Sequence, residues 1–251
     1  MHTGVRSIFK PMNPLTMNEL IVVDIGRTKY SEAWDLQKEI FAARLDNRIG
    51  DVLLLTEHNH VYTLGKAADD NHLLAGEEEL RRKGIDVHWI DRGGDVTYHG
   101  PGQIVGYPIL DLNRYYTDIH RYLRDIEEVI IRTLKEYTIV AERDKEFTGV
   151  WVKDEKIAAI GVKVSRWITM HGFALNVNTD VGYFDRIIPC GIFHKGVVSL
   201  QQCVARPIPL LDVQHHLVHH FSHVFNVRIK QISREELELL LHHNEAVEEK
   251  R

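Results

Sequence analysis

Apolar and polar positions alternate along the chain with two different periods. Residues 19–25 form an apolar-rich run that predicts a strand. Ser31 then caps an expected helix carrying Trp34, Phe41 and Leu45 on one face. Residues 51–57 and 61–65 read as short apolar strands, and a small helix over 73–83 stops at Gly84, a C-terminal signal. Strand resumes over 87–90, a glycine-rich stretch fills 92–102, and another strand follows over 104–112.

The clearest helix spans 117–137, where Ile119, Tyr122, Ile126, Val129, Ile130 and Leu134 recur at helical spacing. Residues 138–140, 150–152, 156–164 and 169–177 are rich in β-branched side chains and read as an antiparallel run, with Asp154-Glu155 as a hairpin turn. Two helices close the pattern. One covers 211–225, and the other opens at Ser233 with Glu236 three residues on, a capping box. Strands come in runs and do not alternate regularly with helices, so the expected class is α+β, a mixed and largely antiparallel sheet flanked by helices. The expected plan is an N-terminal extension over 1–18, one domain over 19–243 and a polar tail over 244–251. A smaller C-terminal subdomain from about Val198 is the alternative division.

Composition narrows the class. Of 251 residues 44% are apolar and 27% charged, which excludes a disordered chain, a collagen-like repeat and a disulfide scaffold. Lys and Arg number 31 against 36 Asp and Glu, giving a formal charge of −5 and arguing against a nucleic-acid partner. No apolar run reaches the length of a membrane span, and the first twenty residues lack the apolar core of a signal peptide. With only Cys190 and Cys203, a reduced, cytoplasmic setting is expected.

Four stretches could carry chemistry. The densest is Arg92-Gly93-Gly94-Asp95-Val96-Thr97-Tyr98-His99-Gly100-Pro101-Gly102-Gln103, where glycines open the backbone to a ligand beside polar side chains. The plainer reading is a tight turn between strands, and neither a GxxxxGK phosphate loop nor a GxGxxG helix opening is present. Pro189-Cys190-Gly191 sets a thiol at a break in the chain, with an inert buried cysteine as the alternative. Cys203 reads as structural. Lys156-Ile157-Ala158-Ala159-Ile160-Gly161 begins with a cation that is either solvated or, turned into a pocket, able to accept a proton. His171-Gly172-Phe173-Ala174-Leu175-Asn176 offers bare backbone beside an apolar wall, or simply sheet core. The sixteen histidines include His216 and His220 at i, i+4 spacing, but HExxH is missing and no metal is expected.

Taken together and in order, these segments, with Glu57-His58 and the run from Val61 to Gly65, resemble the lipoyl(octanoyl) transferases of lipoate biosynthesis over roughly residues 21–201. Departures are Asn59-His60, where the family often has prolines, and Val198 before Ser199. The resemblance implies a fold like that of the lipoate and biotin protein ligases. It implies transfer of an octanoyl group from octanoyl-acyl carrier protein to a lysine of lipoyl domains, those of 2-oxoacid dehydrogenases and of the glycine cleavage H protein. Cys190 matches the thiol nucleophile and Lys156 the lysine that activates it. Arg92, Gly93, Gly94, Asp95, Val96, Thr97, Tyr98 and His99, then Ala159, Ile160 and Gly161, then His171, Gly172, Phe173 and Ala174 match the regions that bind the acyl substrate. No cofactor is implied, because a thioester donor is already activated, and a monomer without membrane contact is expected. Two other readings stand beside it: an ATP-dependent lipoate-protein ligase, and a non-catalytic protein that binds lipoyl domains or acyl carriers.

Overall fold

The apolar runs 19–25 and 51–57 send alternate residues into two different cores. Leu20, Val22, Leu53 and Leu55 enter one, and Ile21, Val23, Val52 and Leu54 the other. A strand that is apolar on both faces has to be covered on both faces. The computed structural model describes residues 17–188 and 196–243. Within them β1 (Asn18–Thr28), α1 (Tyr30–Leu45), β2 (Asp51–His58), β3 (Val61–Leu64), α2 (Glu77–Lys83), β4 (Asp86–Trp89), β5 (Val96–His99), β6 (Gln103–Ile109) and α3 (Ile119–Lys135) make the first half. The second half holds β7 (Glu142–Arg143), β8 (Val150–Val152), β9 (Glu155–Ser165), β10 (Ile168–Asn176), β11 (Gly196–Val197), α4 (Leu200–Val204), α5 (Leu210–Phe225), β12 (Val227–Gln231) and α6 (Arg234–His243).

The main sheet has the order β12-β1-β2-β6-β10-β9-β8-β7, with β11 also paired to β9. β1 runs parallel to β12 and β2, β11 runs parallel to β9, and the remaining pairs are antiparallel. A second sheet, β4-β3-β5, carries the glycine-rich stretch between β4 and β5. The α+β architecture expected from the strand runs is the one observed. α3 and α5 bury Tyr122, Ile126, Val129, Ile130, Leu217 and Phe221 against one face of the main sheet. α1 and α6 bury Ala33, Leu36, Ile40, Leu237 and Leu241 against the other. Among the described residues no helix is long and apolar enough to cross a membrane.

Several expected elements shift. Residues 138–140 are not a strand: Thr138 has φ +60° and its N–H, with that of Ile139, closes the end of α3 on Lys135 and Leu134 carbonyls. α1 begins at Tyr30 with Lys29 at its cap position, and no side chain caps it. Trp34, Phe41 and Leu45 flank the buried stripe of α1, which is made by Ala33, Leu36, Gln37 and Ile40. Asn18, placed in the extension by the sequence, opens β1 opposite Val227. β12, which carries no apolar strand pattern in the sequence, adds a parallel edge to the main sheet, so the elements after Val198 share the sheet and the α3 core. The Ser233–Glu236 capping box forms, with bonds of 2.8 and 3.2 Å. The rest of the N-terminal extension and the polar tail lie outside the described residues.

Candidate active site

Small side chains on neighbouring strands leave room above a sheet. In register, Ala159 faces Ala174 and Gly161 faces Gly172 on β9 and β10. These four residues help line a cavity of about 420 Å³, to which Val105 and Tyr107 of β6 also contribute. The glycine-rich stretch lies across it and docks on β9, where Gly93 N–H donates to the Val162 carbonyl at 2.9 Å. Residues 65–67 secure the same loop from below, taking the carbonyls of Asp95, Arg92 and Gly94. Gly65 has to be glycine there, since a Cβ would stand 2.3 Å from the Gly94 carbonyl.

Lys156, Arg92, Gly93, Gly94, Asp95, Val96, Thr97, His99, Ala159, Ile160, Gly161, His171, Gly172, Phe173 and Ala174 all line this one chamber. Cys190 lies outside the described residues. Tyr98 is a correction. It does not line the chamber, because the strand pleat sends it to the opposite face from His99. There it stacks on Tyr183 with ring centroids 4.8 Å apart, and its hydroxyl meets His60 Nδ1 at 2.7 Å. Gly172 has a further role. It lines the chamber, but its missing side chain serves the sheet: a Cβ would lie 2.1 Å from the Gly106 carbonyl of β6.

A register shift in the β8–β9 pairing, between Val150 and Trp151, acts on Lys156. Such bulges re-aim the side chains beside them. Half-buried, Lys156 lines the chamber with its Nζ 4.8 Å from the centre of the Trp151 ring. Its stem runs by Gly149, where a Cβ would sit 3.4 Å from Lys156 Cε and 2.7 Å from the Ala158 carbonyl. Gly149 is fixed by the fully buried Glu127 of α3, whose Oε1 accepts its N–H at 3.1 Å while Arg124 and Arg143 neutralise the carboxylate. β11 follows Cys190 in sequence and pairs with Lys156, and Val198 N–H donates to the Lys156 carbonyl.

The histidines in and beside the chamber are held neutral by their surroundings. Gln103 donates its amide to the Tyr98 carbonyl and to Asn176 Oδ1, so its Oε1 is left to accept from His99 Nδ1 at 2.8 Å. His99 Nε2 is therefore a lone-pair acceptor. Burial, and then the nearby His58, hold the His99 pKa down to about 3. His58 donates from Nδ1 to the Thr28 carbonyl and accepts at Nε2 from Tyr107, whose hydroxyl is 2.6 Å away; burial lowers its pKa to about 4. Arg92, nearly buried, supplies a fixed cation and donates to the Thr63 carbonyl at 2.7 Å. Cys203 lies in α4 away from the chamber, and burial pushes its thiol up. Among the described residues no group of three or more His, Cys, Asp or Glu side chains is placed to hold a metal.

The sequence did not single out Tyr30, Tyr107, Glu127 or Trp151, which come from separate elements and carry no local motif. It also passed over Asp91 and Lys163, one residue outside or two beyond the quoted motifs.

The family model of the lipoyl protein ligase A/B catalytic domain matches residues 29–222. The chain belongs to that family. An octanoyltransferase of Rubrobacter xylanophilus is 55% identical over 201 residues, covering 79% of this chain and 90% of its own. One from Christiangramia forsetii is 49% identical over 229 residues, covering 84% and 98%. Among solved structures, a bipartite lipoate protein ligase of Thermoplasma acidophilum, studied with its E2 lipoyl domain, superposes with a TM-score of 0.65 at 15% identity, covering 90% of this chain and 91% of its own. At that identity the likeness speaks for the fold, which is the fold expected from the motifs. This member of the family is an enzyme, an acyltransferase.

Proposed function

We propose that the protein transfers an octanoyl group from octanoyl-acyl carrier protein to a lysine of lipoyl domains, through a thioester on Cys190, in lipoate biosynthesis. The observation that carries the proposal is the bulge-turned Lys156 at one end of a chamber floored by Ala159, Ala174, Gly161 and Gly172. An extended alkyl chain fits over a floor of that kind, and a lysine beside its carbonyl can serve the thiol. The relatives named octanoyltransferases, at 55% and 49% identity, support the acyl group. The E2 lipoyl domain studied with the Thermoplasma ligase supports a lipoyl-domain acceptor. Lipoyl domains of 2-oxoacid dehydrogenases and the glycine cleavage H protein are the proposed acceptors, and a cytoplasmic monomer the proposed form.

In the first half-reaction Lys156 takes the Cys190 proton, the sulfur attacks the donor thioester, and the donor thiol leaves with a proton. In the second the acceptor lysine's amine attacks the acyl-enzyme, a C–N bond forms, and the C–S bond breaks to return the Cys190 thiol. The amide product is more stable than either thioester, so no ATP is consumed. The test is incubation with octanoyl carrier protein and an apo lipoyl domain, with and without ATP. An ATP-independent octanoyl amide, and a hydroxylamine-sensitive octanoyl adduct that disappears in Cys190→Ala, are expected. Strict ATP dependence would favour the ligase reading, and full turnover by Cys190→Ala would end the thioester mechanism.

A further inference from the structure

The chamber has a second polar end, remote from Lys156. Val162, the register partner of His171, lies six residues beyond Lys156 on β9. At a rise of about 3.3 Å per residue this separates the two ends by roughly 20 Å. An extended octanoyl chain measures about 9 Å from its carbonyl to its last carbon, and the Lys156 and His171 side chains, which both line the chamber, take up part of the remaining length. A chain with its carbonyl at Lys156 would run over the alanine–glycine floor toward His171.

His171 is held there against ordinary backbone preference. Its φ is +59°, a region that non-glycine residues visit rarely. Its N–H donates to Oε1 of Gln37, a fully buried residue of α1, at 3.1 Å. Nε2 stands 2.8 Å from Asp91 Oδ1, and Lys163 Nζ lies 2.5 Å from Asp91 Oδ2. Burial alone would raise the Asp91 carboxyl, but the hydrogen bonds from Lys163 and His171 outweigh it and bring it to about 2. A carboxylate only accepts, so Nε2 carries the ring's hydrogen and Nδ1 is a bare acceptor. That Nδ1 is buried, on a residue 1% exposed, and has no hydrogen-bond partner among the described residues. A buried acceptor of this kind is costly to leave unmatched.

We propose, building on the acyl-transfer reading above, that His171 closes the far end of the acyl chamber and that its Nδ1 receives a hydrogen bond from the ω-end of the chain, so that the enzyme takes ω-hydroxyacyl groups of about eight carbons as well as plain octanoyl. A hydroxyl buried in an apolar end finds no partner, which costs roughly 10–100-fold. At His171 it finds one. Gln37, Asp91 and Lys163 are the positioning residues: they fix which nitrogen is bare and where the ring stands.

The experiment uses the whole chain with carrier protein loaded with octanoyl, 8-hydroxyoctanoyl or 4-hydroxyoctanoyl groups, and reads kcat/KM for each. The 8-hydroxy donor is expected within about 3-fold of octanoyl, and the 4-hydroxy donor, whose hydroxyl lies over the alanine–glycine floor, at least 10-fold down. In His171→Phe the ratio of 8-hydroxyoctanoyl to octanoyl activity is expected to fall at least 10-fold, a ratio that loss of folded protein leaves unchanged. An 8-hydroxy donor as poor as the 4-hydroxy donor in the unaltered enzyme overturns the proposal, as does an unchanged ratio in His171→Phe. Failure of octanoyl transfer itself would strike the acyl-transfer reading and everything resting on it. Octanoyl transfer with rejection of the 8-hydroxy donor would strike this inference alone.

Discussion

At one end of the chamber Lys156 reaches in on a flexible stem, laid over Trp151 and past Gly149. At the other end His171 is bound through its backbone N–H by Gln37 and through Nε2 by Asp91, which Lys163 clamps in turn. The clamp behind the lysine is the buried carboxylate of Glu127, and it grips backbone. The clamp behind the histidine is the partly exposed Asp91, and it grips the ring itself. On the proposed mechanism the contrast separates two tasks. A group that moves a proton gains from a mobile stem over a fixed seat. A group that marks a position gains from being immobile at every atom but one.

The sharpest break of this contrast is at the lysine. Lys156→Ala is expected to lower kcat by roughly 10²–10⁴-fold, the usual loss when acid–base help is removed. Lys156→Arg keeps a cation over Trp151 but is too basic to accept the proton, and is expected to fall in the same range. Single-turnover acylation of Cys190, with circular dichroism to confirm folding, checks both; an active Lys156→Arg would leave the lysine an electrostatic role only.

Next comes the seat beneath it. Glu127→Ala leaves the Gly149 N–H without its acceptor and two partly exposed arginines without their carboxylate. Because those arginines can turn to water, a loss of about 2–3 kcal/mol is expected, at the low end for a buried pair. Denaturant melts measure it, and kcat should fall together with stability. A Glu127→Ala enzyme of unchanged kcat would show that Lys156 does not depend on this seat.

The histidine side of the contrast shows in acid. His58, His99 and His171 have folded pKa values of about 4, 3 and 4, each lowered chiefly by burial. The unfolded chain therefore binds protons that the folded one refuses once the pH drops below about 6.5. Stability is full above that value and is lost as pH falls toward 4, on the order of 2–3 kcal/mol for each histidine. Thermal melts between pH 7 and 4.5 should show a steep decline, less steep by about one proton in His58→Gln. A flat profile would mean that these rings can be protonated in place.

Much of this was legible in the chain, for reasons that differ by residue. The strands apolar on both faces, the α3 stripe and the Ser233–Glu236 cap follow from local periodicity and local hydrogen bonding. The residues that line the chamber clustered in motifs because glycine and alanine have to recur wherever backbone approaches backbone, as at Gly65, Gly93 and Gly161. β12 is silent in the sequence because Val227–Gln231 carries three polar side chains and is a strand only by pairing with β1. The motif alone cannot separate Tyr98 from His99, because a motif gives no pleat direction. Gln37, Asp91 and Lys163 were unreadable in principle: each is an ordinary polar residue in sequence, and only the β9–β10 register and the packing of α1 bring them to one histidine.

The smallest expected effect tests what the glycines are for. Read from the sequence, Gly94 and Gly172 both look like places where backbone meets substrate, so that a side chain at either should block transfer. Their surroundings differ. At Gly172 an added Cβ meets the Gly106 carbonyl at 2.1 Å and Pro108 Cδ at 2.6 Å, which forces β10 away from β6 in the middle of the main sheet. Gly172→Ala is thus expected to cost about 1–3 kcal/mol as an overpacked site, and to lose activity through that distortion. Gly94 is exposed, and the nearest atom to its Cβ is Arg92 Nη1 at 3.3 Å, the end of a side chain that can shift by tenths of an ångström. What holds Gly94 as glycine is its φ of +87°. Alanine there pays only the left-handed penalty, about 1 kcal/mol, and the chamber keeps its shape. Gly94→Ala should therefore melt slightly lower and transfer octanoyl within about 3-fold of the unaltered enzyme, since a shift of that size in a loop spans less than 1 kcal/mol. If Gly94→Ala instead loses activity by tenfold or more with an unchanged melt, the loop backbone touches the acyl group after all, and the division between chamber-shaping and substrate-contacting glycines has to be redrawn.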